Sequence, residues 1–183
     1  NFEVAYLKKE TEIETISLDY FVKKHEVGDV DFIKIDVQGA ELDVFKGGSK
    51  TLKNVLKIVC EVEFIQHYEN QPLFGEVSDY LSQYNLMFNK FLGLSGRALK
   101  PIMLNNNPNL PSQHIWSDAV FLRHIQKIHT LSDEQLLKLG LLACVYYSLD
   151  LTFYCLSEYD KRHSTSFAKN WMSQIANQNF KKG

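Results

Sequence analysis

The sequence predicts an α/β domain on a mostly parallel sheet, followed by a helical extension. Strand-like and helix-like patterns alternate from Ile13 to about Asn85, the signature of a sheet with helices on both faces. Asp31–Val37 and Leu56–Phe64 are rich in β-branched and apolar residues, as strands covered on both faces must be. Beyond His124 the pattern turns helical throughout.

The elements follow in order. Ser17 precedes Leu18, Phe21 and Val22, an N-cap ahead of apolar residues at helical spacing, and this helix should end near His25 to Gly28. After the strand Asp31–Val37, Gln38-Gly39 makes a turn into a helix Ala40–Lys46. Gly47-Gly48 closes it, with Glu41 and Asp43 in its first turn and Lys46 in its last, as the helix dipole favours. The strand Leu56–Phe64 leads through an irregular segment, Ile65–Gly75, to a helix from about Glu76 to Tyr84. Two further strands are expected at Leu86–Leu92 and Ala119–Arg123, pairing as an antiparallel edge. Between them, Gly93–Trp116 has turn chemistry centred on Asn105-Asn106-Asn107-Pro108-Asn109, a length typical of lids and binding loops. Helices are expected near Ser132–Leu149, Leu151–Asp160 and Thr165–Asn179.

Composition narrows the function. The chain of 183 residues has a net charge of −2 and no basic block, which argues against nucleic acid as a main partner. Cys60, Cys144 and Cys155 form no CxxC pair, so reduced, cytoplasmic thiols are the better reading, with Cys60 a small core residue. Asn1-Phe2-Glu3-Val4 does not resemble a signal peptide, and the lack of an initiating Met suggests a fragment. Lys138 and Asp150 interrupt the apolar stretch Leu136–Leu156, so no membrane span is expected. No metal-ligand spacing or GxSxG elbow occurs.

In open α/β sheets, ligands bind beyond the carboxyl ends of the parallel strands. That rule selects Asp36, Gln38 and Gly39 after one strand, and Glu61, Glu63, Gln66, His67 and Tyr68 after the next. Gly39 would let the backbone approach a ligand closely, or simply make a tight turn. Asp36 is either a ligand contact or a cap for the helix that begins at Ala40. Glu61 and Glu63 share a strand face, and one of them has Lys34 or Lys57 as an alternative ion-pair partner. His67 is the side chain best suited to proton transfer near neutral pH, although a lone histidine more often serves a loop.

The run from Asp31 to Gly48, reading DFIKIDVQGAELDVFKGG, resembles the signature of the FkbM methyltransferases. Thr15-Ile16-Ser17-Leu18-Asp19, Glu61-Val62-Glu63-Phe64, Tyr68, Gln71-Pro72-Leu73-Phe74 and Trp116–Phe121 extend the resemblance over roughly Ile13–Arg123. It implies a partial Rossmann-like class I methyltransferase sheet, the last strand reversed to form an edge hairpin. Residues 1–123 would be the C-terminal part of that domain and 124–183 a helical extension. The implied activity is methyl transfer from S-adenosylmethionine to a hydroxyl of a sugar, glycan or related small acceptor. Asp36, Gln38 and Gly39 would line the cofactor or acceptor edge, Glu63 and Tyr68 would face the acceptor, and His67, then Asp36, would serve as base. Gln38 stands where many members carry Glu. The family's glycine-rich cofactor loop does not occur in these residues, so this polypeptide by itself is expected to bind S-adenosylmethionine poorly or not at all. The alternative is a non-catalytic glycan- or protein-binding module. Leu136, Leu137, Leu141 and Leu142 would pack on the domain or form a homodimer seam.

Overall fold

The computed structural model describes residues 9, 11–108 and 110–179. The leader reading of residues 1–4, Asn109 in the long loop and the outermost residues of both expected segments lie outside the described residues. Five strands and six α-helices are described, in the order α1 (Leu18–Lys24), β1 (Phe32–Ile35), α2 (Glu41–Lys46), β2 (Lys57–Glu63), α3 (Phe74–Ser82), β3 (Leu86–Phe91), β4 (Ser95–Gly96), β5 (His114–Arg123), α4 (Asp133–Val145), α5 (Leu149–His163) and α6 (Phe167–Asn179).

The sheet is mixed. Its order is β1-β2-β5-β3, with β4 also on β5; β1 and β2 are parallel, and β5 is antiparallel to both β2 and β3. The sequence placed the reversed strand at the edge. It lies instead between β2 and β3, and its ten residues reach back to His114. Ser117 and Asp118 interrupt the apolar run that marks the strand's end, which is why only Ala119–Arg123 was readable.

Two apolar layers hold the sheet. On one face Leu42, Phe45, Ile58, Cys60, Val62, Leu81 and Phe121 pack under α2 and α3. On the other, Val59, Val120 and Leu122 meet Leu136, Leu139 and Ala143 of α4 and Leu151 and Cys155 of α5. A fully buried side chain of this size contributes about 1.5–3 kcal/mol, so these layers carry most of the stability. The apolar face of α4 is divided: Leu136 is buried against the sheet, whereas Leu137 and Leu141 are exposed.

Local chemistry shifts two boundaries. Glu76 accepts the Leu73 N–H at 2.9 Å, so Phe74 and Gly75 become the first turn of α3 and the helix starts before Glu76. Gly47 closes α2 with φ −73°, an ordinary helical value rather than a left-handed cap. The glycine pair is needed for close approach instead: a Cβ at Gly48 would stand 2.7 Å from Leu18 Cδ2. Asp19 of α1 then accepts the Lys50 and Thr51 N–H groups at 2.9 and 2.8 Å, which fixes α1 against the turn that feeds β2.

Candidate functional site at the carboxyl ends of β1 and β2

The loop after β1 is folded by its own downstream helix. Gln38 and Gly39 have positive φ, 54° and 104°, so the chain reverses sharply between strand and α2. Two loop amides, Val37 N–H and Gly39 N–H, donate to the Glu41 carboxylate at 2.9 and 3.0 Å. Glu41 is buried, and a carboxylate that satisfies two amides is a strong, charge-assisted brace. The sequence reading credited Glu41 only with the helix dipole. Asp36 does not cap α2; it is exposed, and Gln38 Nε2 donates to its Oδ1 at 2.7 Å.

Gln71 performs the equivalent service for the loop after β2. Its Oε1 accepts the His67 and Tyr68 N–H groups at 2.8 and 3.2 Å, and its carbonyl accepts from Gln66 Nε2 at 3.0 Å. The side chain lies directly under Gly39, where an added Cβ would stand 2.6 Å from Gln71 Nε2. Glycine is thus required at 39 by both φ and space, and one buried amide joins the two strand-end loops. That Nε2 meets no hydrogen-bond partner of normal geometry, but it stands near enough to Glu63 to favour that carboxylate. The sequence marks Gln71 only as the first residue of the Gln71-Pro72-Leu73-Phe74 run that extends the family resemblance; nothing local announces its role as a brace.

An acidic group lies beneath these loops. Burial, then the Glu41 and Glu61 carboxylates, push the Glu63 carboxyl up to about 7, although Gln71 opposes the shift. Burial, followed by Asp36, Glu41 and Asp118, also raises Glu61; Asp118 is directly opposite it on β5. Lys34 is close enough to oppose that rise, whereas Lys57 is turned away toward α4.

Between α2 and the loop after β2 is a cleft of about 320 Å³, with Gln38, Gly39, Asp43, Lys46, Tyr68 and Asn70 among its lining. The structure therefore brings Gln38, Gly39 and Tyr68 together around one cavity, with Asp36 held to Gln38. His67 is exposed beside Tyr68 and Glu63 is buried, and both stand outside that lining. Among the described residues, no group of three His, Cys, Asp or Glu is arranged to hold a metal ion. No described helix is long and apolar enough to cross a membrane.

Residues 3–86 match the family model described as the methyltransferase FkbM domain, so the resemblance carried by the Asp31–Gly48 run holds for that stretch. Residues 87–123, over which the sequence resemblance continues, lie beyond the match. The 2-O-methyltransferase NoeI of Sinorhizobium fredii (strain NBRC 101917 / NGR234) is 33% identical over 87 residues, covering 48% of this chain and 36% of that protein. The matched stretch thus spans about a third of the relative's length. No solved structure matches the chain.

Proposed function

We propose that this chain is the C-terminal portion of an S-adenosylmethionine-dependent O-methyltransferase with a partial Rossmann-like sheet, acting on a hydroxyl of a sugar, glycan or related small acceptor. One observation carries the reading: the stretch that matches the FkbM domain is the stretch that builds the strand-end cleft. The relative named as a 2-O-methyltransferase supports oxygen as the acceptor atom. The free thiols Cys60, Cys144 and Cys155 suit a reducing, cytoplasmic setting.

The residues present fit the cofactor's charge. Asp36, exposed at the end of β1, and Glu61 on β2 are the carboxylates that would favour a cation at the strand ends, whereas Gln71 fills the space beside Gly39. When bound, S-adenosylmethionine supplies a methyl group on a positively charged sulfur. Asp36, Gln38 and Gly39 would hold it, and Tyr68 would contact the acceptor from the facing loop. A hydroxyl is a weak nucleophile, so alignment and proton removal are what the protein adds. His67 is the first candidate base and Asp36 the second. Glu63, being buried, would act through its charge on the acceptor side rather than by contact.

The test is methyl transfer by the full-length protein carrying His67→Ala or Asp36→Asn. Loss of a general base lowers turnover by about 10²-fold or more. Unchanged turnover with intact cofactor binding would remove both from the role. Acceptor binding without any turnover in the unaltered protein would favour the non-catalytic module.

A further inference from the structure

The loop after β2 hangs on one side chain. Gln71, 3% exposed, accepts the His67 and Tyr68 N–H groups through its Oε1. Its other end, Nε2, is buried without a partner of normal geometry, and the acceptor it favours is the Glu63 carboxylate, also 3% exposed. Two polar groups sealed from water thus answer to each other, and a proton on Glu63 changes what Gln71 must offer.

An ionised carboxylate only accepts, so it attracts Nε2 and leaves Oε1 turned to the loop amides. The bonds then run in one sense from loop to carboxylate, which strengthens each of them. A protonated carboxyl carries a donor hydroxyl instead. A half-turn of the Gln71 amide gives that hydroxyl an acceptor, by exchanging two groups of nearly equal size. Gly39 has no Cβ at the place where one would stand 2.6 Å from Nε2, so the amide has room to turn. The same half-turn aims a donor at the His67 and Tyr68 N–H groups, and both of their bonds are lost.

The charges around Glu63 oppose its ionisation. Glu41 comes from α2 and Glu61 from the same strand, while from β5 Trp116 is the direct partner and Asp118 lies opposite Glu61. Lys34 and Asp36, on β1 and at its end, act on Glu61. Glu76 of α3 is engaged by the Leu73 N–H, and the loop itself brings His67, Tyr68 and Glu69, all exposed.

We infer that Glu63 and Gln71 form a proton-operated latch: ionised Glu63 holds the loop after β2 in place, and protonated Glu63 releases it. That loop carries His67 and Tyr68, so the consequence that acid weakens catalysis rests on the functional reading above. The latch itself does not.

The experiment is amide hydrogen exchange in the full-length protein from about pH 5.5 to about 8, corrected for intrinsic exchange. Protection of the His67 and Tyr68 amides is expected to rise about fivefold with pH, with its midpoint at about 7. Below that midpoint Glu63 makes global stability fall as pH rises, so a gain in protection there reports the loop and not the whole fold. Glu63→Gln should make the protection independent of pH, and Gln71→Ala should remove it throughout. His67→Gln should leave the pH dependence in place. In the unaltered protein the Gln71 side-chain amide resonances should shift with the same midpoint, a readout that needs no variant to fold. Protection that ignores pH, or resonances that do not move, would overturn the proposal. So would protection kept by Gln71→Ala, a dependence that survives in Glu63→Gln, or one that disappears in His67→Gln. The readout contains no methyl transfer, so its failure and that of the enzymatic reading are separate events.

Discussion

The two ends of β2 each hold an ionisable side chain against its ordinary charge, and they do so by different means. At the amino end Lys57 is fully buried beneath α4. Its Nζ donates to the Leu142 carbonyl at 3.0 Å and stands 2.8 Å from the Tyr146 ring centroid and 5.5 Å from that of Phe32. No carboxylate pairs with it among the described residues. Burial, then the charge of Lys90, pull its ammonium down to about 7. At the carboxyl end Glu63 is buried among like charges and is pushed up to about 7. Helix packing closes the first end, whereas the second is braced by single side chains, Glu41 and Gln71, beneath loops. An end held by long-range packing serves the fold; an end held by loop braces leaves room for a ligand.

The contrast implies an uncommon pH dependence. Between 4.5 and about 7 the folded protein keeps a proton on Glu63 that the unfolded chain has released, so stability falls as pH rises. From about 7 toward 10.5 the unfolded chain keeps a proton on Lys57 that the folded protein has lost, so stability rises with pH. The result is a minimum near neutrality, where most proteins are near their best. Below that range Asp19 and Asp160 act in the usual sense, since hydrogen bonds hold both carboxyls low.

The largest effect should come from Glu63→Gln. It should flatten the acid limb, which a shift of this size makes worth about 3 kcal/mol, as followed by denaturant unfolding across pH. Glu61 shifts in the same sense, so a small residual slope should remain. A limb unchanged in the variant would move the effect to Glu61.

Lys57→Met should remove the alkaline limb. The clean window runs from about 7 to 9.0, because above that the buried thiols of Cys60 and Cys155, both raised by burial, begin to lower stability. Over that window the expected gain in the unaltered protein is about 2–3 kcal/mol, and the variant should show none. An alkaline limb that survives would mean that water reaches Lys57 and that the amino end is not closed as described.

These groups also mark where the sequence stops being informative. β1, α2, β2 and the three C-terminal helices were legible because their apolar spacing is local. Asp36, Gln38 and Gly39 were legible as a strand-end turn because they are neighbours in the chain and follow a strand. Lys57 reads as one polar residue in an apolar strand, and nothing nearby announces Leu142 or Tyr146, which arrive from far along the sequence. Glu41 had a sufficient local explanation in the helix dipole, which concealed its bonds back to Val37 and Gly39. His67 was selected by residue type, yet it is Gln71, with no titratable group, that organises the loop around it.

The smallest of these effects isolates the brace between the two loops. Gly39→Ala faces two costs: a φ of 104° that side-chain-bearing residues rarely adopt, and a Cβ placed 2.6 Å from Gln71 Nε2. The second is relieved only if Gln71 moves, which sacrifices its bonds to the His67 and Tyr68 N–H groups. A destabilisation of about 1–3 kcal/mol is expected, with faster hydrogen exchange at the His67 and Tyr68 amides. Repeating the substitution in a Gln71→Ala background separates the two costs, because only the steric part disappears there. A coupling near zero would mean that φ alone requires glycine at 39 and that the strand-end loops are braced independently. A coupling of about 1 kcal/mol or more would establish that Gln71 ties the turn after β1 to the loop after β2.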